Sequence, residues 1–187
     1  MKFTVHTIDT APQEAQADLL VARKAFGFIP NLLGVMAEAP IALKAYMELT
    51  ELLGKSSFTP VEQQVMMIAG SVTNKCGYCV AAHSTVAGMV RMPATALGAL
   101  RSGSIVPDVR LEALRSFVSD MVGTRGRVSD TRIQEFLDAG FTRQNVLEVV
   151  FAAAMKTLSN YTNHVAETLV DAAFAPQAWT ANTLVAA

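Results

Sequence analysis

Apolar residues recur along this chain at helical spacing, and the gaps between the runs carry Pro, Gly and capping residues. Ala15, Leu19, Ala22 and Phe26 predict a helix opened by Pro12 and ended near Gly27. PNLLGVMAEAP, Pro30 to Pro40, reads as a short helix bracketed by prolines. Pro40 suits the first turn of the next helix, which Leu43, Met47 and Leu53 carry towards Gly54. Thr59, Pro60 and Glu62 form a capping-box start, in which the Thr hydroxyl and Glu carboxylate satisfy exposed backbone donors, and helical spacing continues to about Val72. A helix restarts close to Cys76 and runs to about Val90. Further starts fall at Pro93, Pro107-Asp108, Ser129-Asp130 and Thr142, the last opening a segment expected to reach about residue 173.

No alternating run supports a strand, and residues 1–11 read as extended and peripheral. The prediction is an all-α, single-domain helical bundle over 1–187, with a core of interest at about 58–92. The 187 residues suffice to bury a substantial core without disulfide or metal staples. Composition sharpens this: 51% of residues are hydrophobic, 17% charged and 7% aromatic. Small residues thus stand at helix contacts, and a mean hydropathy of +0.32 with nine Met predicts apolar surface held for a partner subunit, a homo-oligomer. A net charge of −1 without basic runs gives no reason to expect nucleic acid. No apolar stretch reaches the roughly 18 residues of a membrane helix, and the N-terminus has no signal-peptide core, so a cytoplasmic, reducing setting is expected.

In such a setting a close cysteine pair points to catalysis or metal binding rather than a structural staple. Residues 74–83, NKCGYCVAAH, contain both cysteines and one of the three histidines. If the helix begins at or just before Cys76, then at about 100° per residue Cys76, Cys79 and His83 share one face. Cys79 and His83 then lie one turn apart, within reach for the imidazole to take the thiol proton directly or through water. The first helical turn favours a thiolate at Cys76. A dithiol so placed does two-electron chemistry, one thiolate attacking an oxidant and the other resolving the product to a disulfide. Two other readings stay open. The cysteines are compatible with an inert core, or with a Cys2His2 zinc site completed by His83 and His164 in a zinc-stabilised, non-enzymatic helical subunit. Tyr78, between the thiols, and the polar cluster SNYTNH, with Asn160 and His164, are candidates for a pocket lining.

The stretch FTPVEQQVMMIAGSVTNKCGYCVAAHSTVAG resembles the core of the AhpD-like alkylhydroperoxidase and carboxymuconolactone decarboxylase superfamily, and KTLSNYTNHVAETLVDAAFAPQAW resembles the closing segment of its peroxidase-related members. The resemblance implies an all-helical fold assembled as trimers or hexamers. It also implies thiol-dependent peroxidase activity in antioxidant defence without cofactor or metal, acting on a hydroperoxide with an unknown thiol or protein reductant. Carried over, Cys79 is peroxidatic, Cys76 resolving and His83 the proton relay. The decarboxylase branch lacks the paired cysteines, which argues against lactone decarboxylation, the alternative in which His83 transfers a proton at carbon. One position departs from the pattern. The relay glutamate usually stands twelve residues before the first cysteine, where this chain has Gln64. Gln64 is able to orient a water or His83 but not to accept a proton. Glu62, a second candidate for the relay, lies about 200° round the helix from it and is already claimed by the capping box.

Overall fold

The computed structural model describes residues 3–181, and among them there are helices and no strands. The order is α1 Gln13–Phe26, α2 Asn31–Met36, α3 Pro40–Gly54, α4 Pro60–Thr73, α5 Gly77–Met89, α6 Ala94–Ser102, α7 Val109–Gly123, α8 Asp130–Asp138 and α9 Arg143–Ala166, followed by a 3₁₀ turn, Ala175–Gln177. Starts follow the capping chemistry. Thr59 accepts from the Glu62 amide and the Glu62 carboxylate from the Thr59 amide, and Asp108, Ser129 and Thr142 each cap in the same sense. Gly27 and Gly103 end α1 and α6 in the left-handed region that glycine enters without steric penalty.

Helix α4 is the axis of the bundle. Its residues from Gln64 to Ser71 are buried without interruption, because α7, α5 and α9 pack round it. On one side, α4, α6, α7, α8 and the first half of α9 enclose an apolar cluster that includes Val65, Ile68, Leu114, Phe117, Phe136 and Phe141. On the other, α1, α2, α3 and α5 enclose a second cluster around Leu19, Leu33 and Leu43, which contains Cys76 and Cys79. The stem of Lys156 on α9 packs beside Gly70 of α4, where a Cβ would stand in ordinary contact, 3.5 Å from Lys156 Cγ.

The last helix is shorter than its apolar run predicts. It stops at Ala166, with Glu167 left-handed (φ 50°) and its amide returning to the Asn163 carbonyl. Tertiary bonding diverts the chain there: Asp171 accepts from the Asn31 amide and from the Tyr78 hydroxyl, at 3.0 and 2.6 Å. Residues 168–181 thereby fold back over the start of α5. Arg101 holds the Gln177 and Ala178 carbonyls, the Trp179 indole donates to the Arg101 carbonyl, and the Trp179 carbonyl lies where a Cβ on Gly77 would be, 2.8 Å away.

Candidate active site

The turn between α4 and α5 delivers the thiols. Lys75 takes a left-handed conformation (φ 57°), the Cys76 amide donates back to the Ser71 carbonyl and the Lys75 amide to that of Val72. This Schellman-type stop reverses the chain and leaves Cys76 as the N-cap of α5. Cys76 therefore precedes the helix rather than sharing its first turn. Cys79 follows within that turn, where unpaired amides and the helix dipole favour an anion. Both cysteines are free and buried, and their sulfurs are hydrogen-bonded to each other.

The two thiols are not equivalent. Burial opposes ionisation of Cys79, but the Cys76 thiol, the Lys156 ammonium and the amides of Asn163 and Asn160 outweigh it, holding Cys79 well below the ordinary thiol range. The same thiol–thiol bond, with burial, pushes Cys76 far upward. The pair is thus a thiolate at Cys79 and a protonated thiol at Cys76. Asn163 Nδ2 stands 3.2 Å from Cys79 Sγ and 3.9 Å from Cys76 Sγ. Asn160, wholly buried, accepts from Asn74 at 2.9 Å and donates to Ser71 at 3.4 Å, which ties the turn before Cys76 to α9.

His83 lies near the thiols but directs its ring nitrogens elsewhere. Nδ1 is 3.0 Å from Gln64 Oε1 and Nε2 is 3.0 Å from Lys156 Nζ. An amide oxygen and an ammonium fix the tautomer between them: Nδ1–H donates to Gln64, and Nε2 accepts from Lys156. Burial and the Lys156 charge keep His83 well below the usual imidazole range, so the ring is neutral. Lys156, 1% exposed, stands within hydrogen-bonding reach of Cys79 and so joins the thiolate to His83. Where the sequence predicts an imidazole that reaches the thiol directly or through water, the ring nitrogens of His83 meet Gln64 and Lys156.

The other candidates divide. Glu62 faces away from the thiols, bound to Thr59 and, through Oε1, to Arg110 Nε at 2.8 Å. Tyr78 lines the cavity beside Cys79, and burial together with its bond to Asp171 pushes its hydroxyl pKa up. His164 is exposed on the outer face of α9, its ring 6.5 Å from that of Tyr161. The Cys2His2 arrangement therefore loses its fourth ligand. Among the described residues no group of three or more His, Cys, Asp or Glu side chains is placed to share a metal ion.

An apolar cavity of about 220 Å³ reaches the site, and Cys79, His83 and Gln64 line it together with Leu33, Tyr46 and Met67. Phe174 also lines it, although its place in AFAPQAW predicts only packing across a helix end. Sequence reading misses Lys156 and, within the SNYTNH cluster, singles out Asn160 and His164 rather than Asn163. A signal does exist: Lys156, Asn160 and Asn163 recur at intervals of four and three in an otherwise apolar, alanine-rich helix, a polar stripe on one face.

The molecule is therefore a helical protein that holds an asymmetric dithiol beneath an apolar cavity. Residues 40–108, from the start of α3 to the N-cap of α7, match the model of the carboxymuconolactone decarboxylase family. The fold is that of the AhpD core of an uncharacterized peroxidase-related protein from Ralstonia eutropha JMP134 (TM-score 0.81, 19% identity, covering 92% of this chain and 93% of that one). It is similarly close to an uncharacterized peroxidase-related protein from Silicibacter sp. TM1040 (TM-score 0.78, 18% identity, 93% and 95% covered). A cysteine-to-alanine variant of the debrominase Bmp8, in complex with 2,3,4-tribromopyrrole, has TM-score 0.78 at 16% identity, with 95% of each chain covered. No functionally curated protein matches the sequence. The family match is confined to residues 40–108, and the likeness to the solved structures is one of fold.

Proposed function

We propose that this protein is a thiol-dependent peroxidase in which Cys79 attacks a hydroperoxide and Cys76 resolves the product. One observation carries the reading: of the two thiols, Cys79 lines the cavity and Cys76 does not, and it is Cys79 whose ionisation its neighbours favour. Attack by the Cys79 thiolate on the peroxide oxygen gives a sulfenic acid and an alkoxide. Cys76 then displaces water from the sulfenic acid, closing the Cys76–Cys79 disulfide, and an external thiol or protein reductant restores the pair. Antioxidant defence in a reducing, cytoplasmic setting fits such a cycle. Lactone decarboxylation fits less well, because it makes no use of the free cysteine pair, one thiol of which lines the cavity.

The test is consumption of an organic hydroperoxide by purified protein with a dithiol reductant. The wild type is expected to lose two thiols per chain on stoichiometric peroxide and to recover them with dithiol. Cys79→Ser is expected to lose turnover by at least about a hundredfold. Activity that survives this change, or that is indifferent to thiol alkylation, rejects the mechanism.

A second reading draws on the aromatic rings around the cavity, Phe26, Tyr46, Tyr78 and Phe174, which suit a flat aromatic guest as well as a peroxide. Reductive removal of bromide from an aromatic ring uses the same two electrons: carbon gains a proton, bromide leaves and the disulfide forms. Bromide release from a bromopyrrole without hydroperoxide consumption selects this reading.

A homo-oligomer, trimer or hexamer, is part of the proposal. Its support is an apolar line at helical spacing on the outer face of α9: Leu147, Val150, Ala154, Tyr161 and Val165, with Leu147 70% and Val165 68% exposed. Sedimentation is expected to show an assembly that Leu147→Glu with Val165→Glu disperses; an unchanged mass for the double variant removes this face from the interface.

A further inference from the structure

Lys156 is the feature that the thiol mechanism has not used. A lysine with 1% exposure in the middle of α9 is expensive unless something compensates its charge. The groups that face it are the Cys76 thiol from the turn before α5, the Cys79 thiol and His83 from α5, and the Tyr46 hydroxyl from α3. Of these, the Cys79 thiolate is the anion. His83 is neutral and presents its Nε2 lone pair to the ammonium, and Tyr46 is kept protonated by burial. In the reduced protein the buried charges therefore balance as one thiolate and one ammonium. Disulfide formation removes the thiolate. An ammonium left behind would have no counter-ion in the protein interior, a situation that lysine relieves by giving up its proton.

From this arrangement we infer that Lys156 is the proton store of the dithiol: its ammonium accompanies the Cys79 thiolate in the reduced protein, and its proton leaves through His83 as that thiolate is oxidised on the way to the Cys76–Cys79 disulfide. The inference rests on the thiol-redox reading above. His83 provides the path because it touches Lys156 with one nitrogen and lines the cavity. When an alkoxide forms in the cavity it takes the Nδ1 proton of His83, and Nε2 takes the proton of Lys156. The cycle then balances. Cys76–SH, Cys79–S⁻, Lys156–NH₃⁺ and ROOH become the disulfide, Lys156–NH₂, ROH and water. Three protons stand on each side, there is no net charge on either, and sulfur loses the two electrons that the peroxide oxygens gain. Gln64 then has a purpose as an amide. It holds Nδ1–H towards the cavity without accepting the proton, and a carboxylate in its place is unnecessary when the proton originates at Lys156.

The experiment is the equilibrium of the purified full-length protein with reduced and oxidised dithiothreitol, read by thiol count, alongside the ultraviolet absorbance of the thiolate. Reducing the disulfide adds two protons to the protein if Lys156 is neutral in the oxidised state. Oxidising dithiothreitol releases two, so the equilibrium constant should not change between about pH 6 and 8, where dithiothreitol stays protonated. If Lys156 keeps its proton throughout, the constant changes about tenfold per pH unit. The inference expects a pH-independent constant together with thiolate absorbance at neutral pH in the reduced wild type. A tenfold slope, or no thiolate absorbance, overturns it.

Two variants sharpen the result without being needed for it. Lys156→Arg keeps the charge but not the ability to lose it, so thiolate absorbance should persist while the tenfold slope appears. Lys156→Met should lose the thiolate absorbance and stay pH-independent, because both thiols are then protonated. Thiolate absorbance that persists in Lys156→Met overturns the inference. No hydroperoxide enters this measurement. A protein that ignores hydroperoxides but follows the expected pattern retains Lys156 in this role while losing the peroxidase reading, whereas one whose disulfide never forms loses both.

Discussion

The two sides of α4 solve opposite problems with the same kind of helix. Towards α7 and α8 the contacts are apolar and geometrically regular. Phe117 stacks on Phe136 and Phe136 on Phe141, each at 4.2 Å between ring centres, and the Arg110 guanidinium, 3.8 Å from the Phe141 ring, covers the end of the ladder. Glu62 completes that end through its bond to Arg110. Towards α5 and the second half of α9, the buried groups include Ser71, Lys156, Ser159, Asn160 and Asn163. Such groups offer little net stability even when hydrogen-bonded, and one of them, the Asn163 side-chain oxygen, is buried without a partner among the described residues. The first region keeps the fold. The second spends part of that stability on holding a thiolate.

If that division is correct, damage to each side should have a different signature. Phe136→Ala, at 1% exposure and in the middle of the ladder, should cost about 3–5 kcal/mol of stability through lost burial and the cavity left behind. Chemical denaturation measures it. Among molecules that remain folded, the pH dependence of thiol alkylation should be that of the wild type, because Phe136 lies in the apolar cluster and the thiols in the other. An alkylation profile that moves with Phe136→Ala would break the comparison, since it would show the two regions to be energetically coupled.

How much of this was legible in the sequence follows the same division. The helices were legible because their starts are chemically marked, at Thr59, Asp108, Ser129 and Thr142, and their apolar faces repeat at helical spacing. The stop at Ala166 was not. The apolar pattern continues past it, and what ends the helix is Asp171 bonding to Asn31 and Tyr78, residues far away in the chain. The closeness of the thiols and His83 could be anticipated from the motif, since it is local to one turn and one helix. The partners of His83 are not local. Gln64 comes from α4 and Lys156 from α9, and no spacing rule within NKCGYCVAAH reports on either. His164 and Asn160 show the ambiguity at its plainest. They are four residues apart in one polar cluster, yet Asn160 is wholly buried beside the thiol turn while His164 points outward. Composition cannot separate them; the packing angle of α9 does.

Asn163 gives the smaller and more discriminating test. Its amide nitrogen donates to the Cys79 sulfur, and its oxygen has no partner among the described residues. Asn163→Leu conserves shape closely while removing both features. Loss of the donor takes away one of the groups that lower the Cys79 pKa, so that pKa should rise. The rate of Cys79 alkylation should then reach its plateau at correspondingly higher pH. Loss of the orphaned oxygen removes a desolvation penalty of about 1–3 kcal/mol, which offsets the hydrogen bond given up, so stability should change by less than about 1 kcal/mol or increase. The two readouts move independently: reactivity falls at neutral pH while the denaturation midpoint holds or rises. Should Asn163→Leu instead unfold the protein as severely as Phe136→Ala, the polar side of α4 would be part of what keeps the fold, and the distinction between the two regions would collapse.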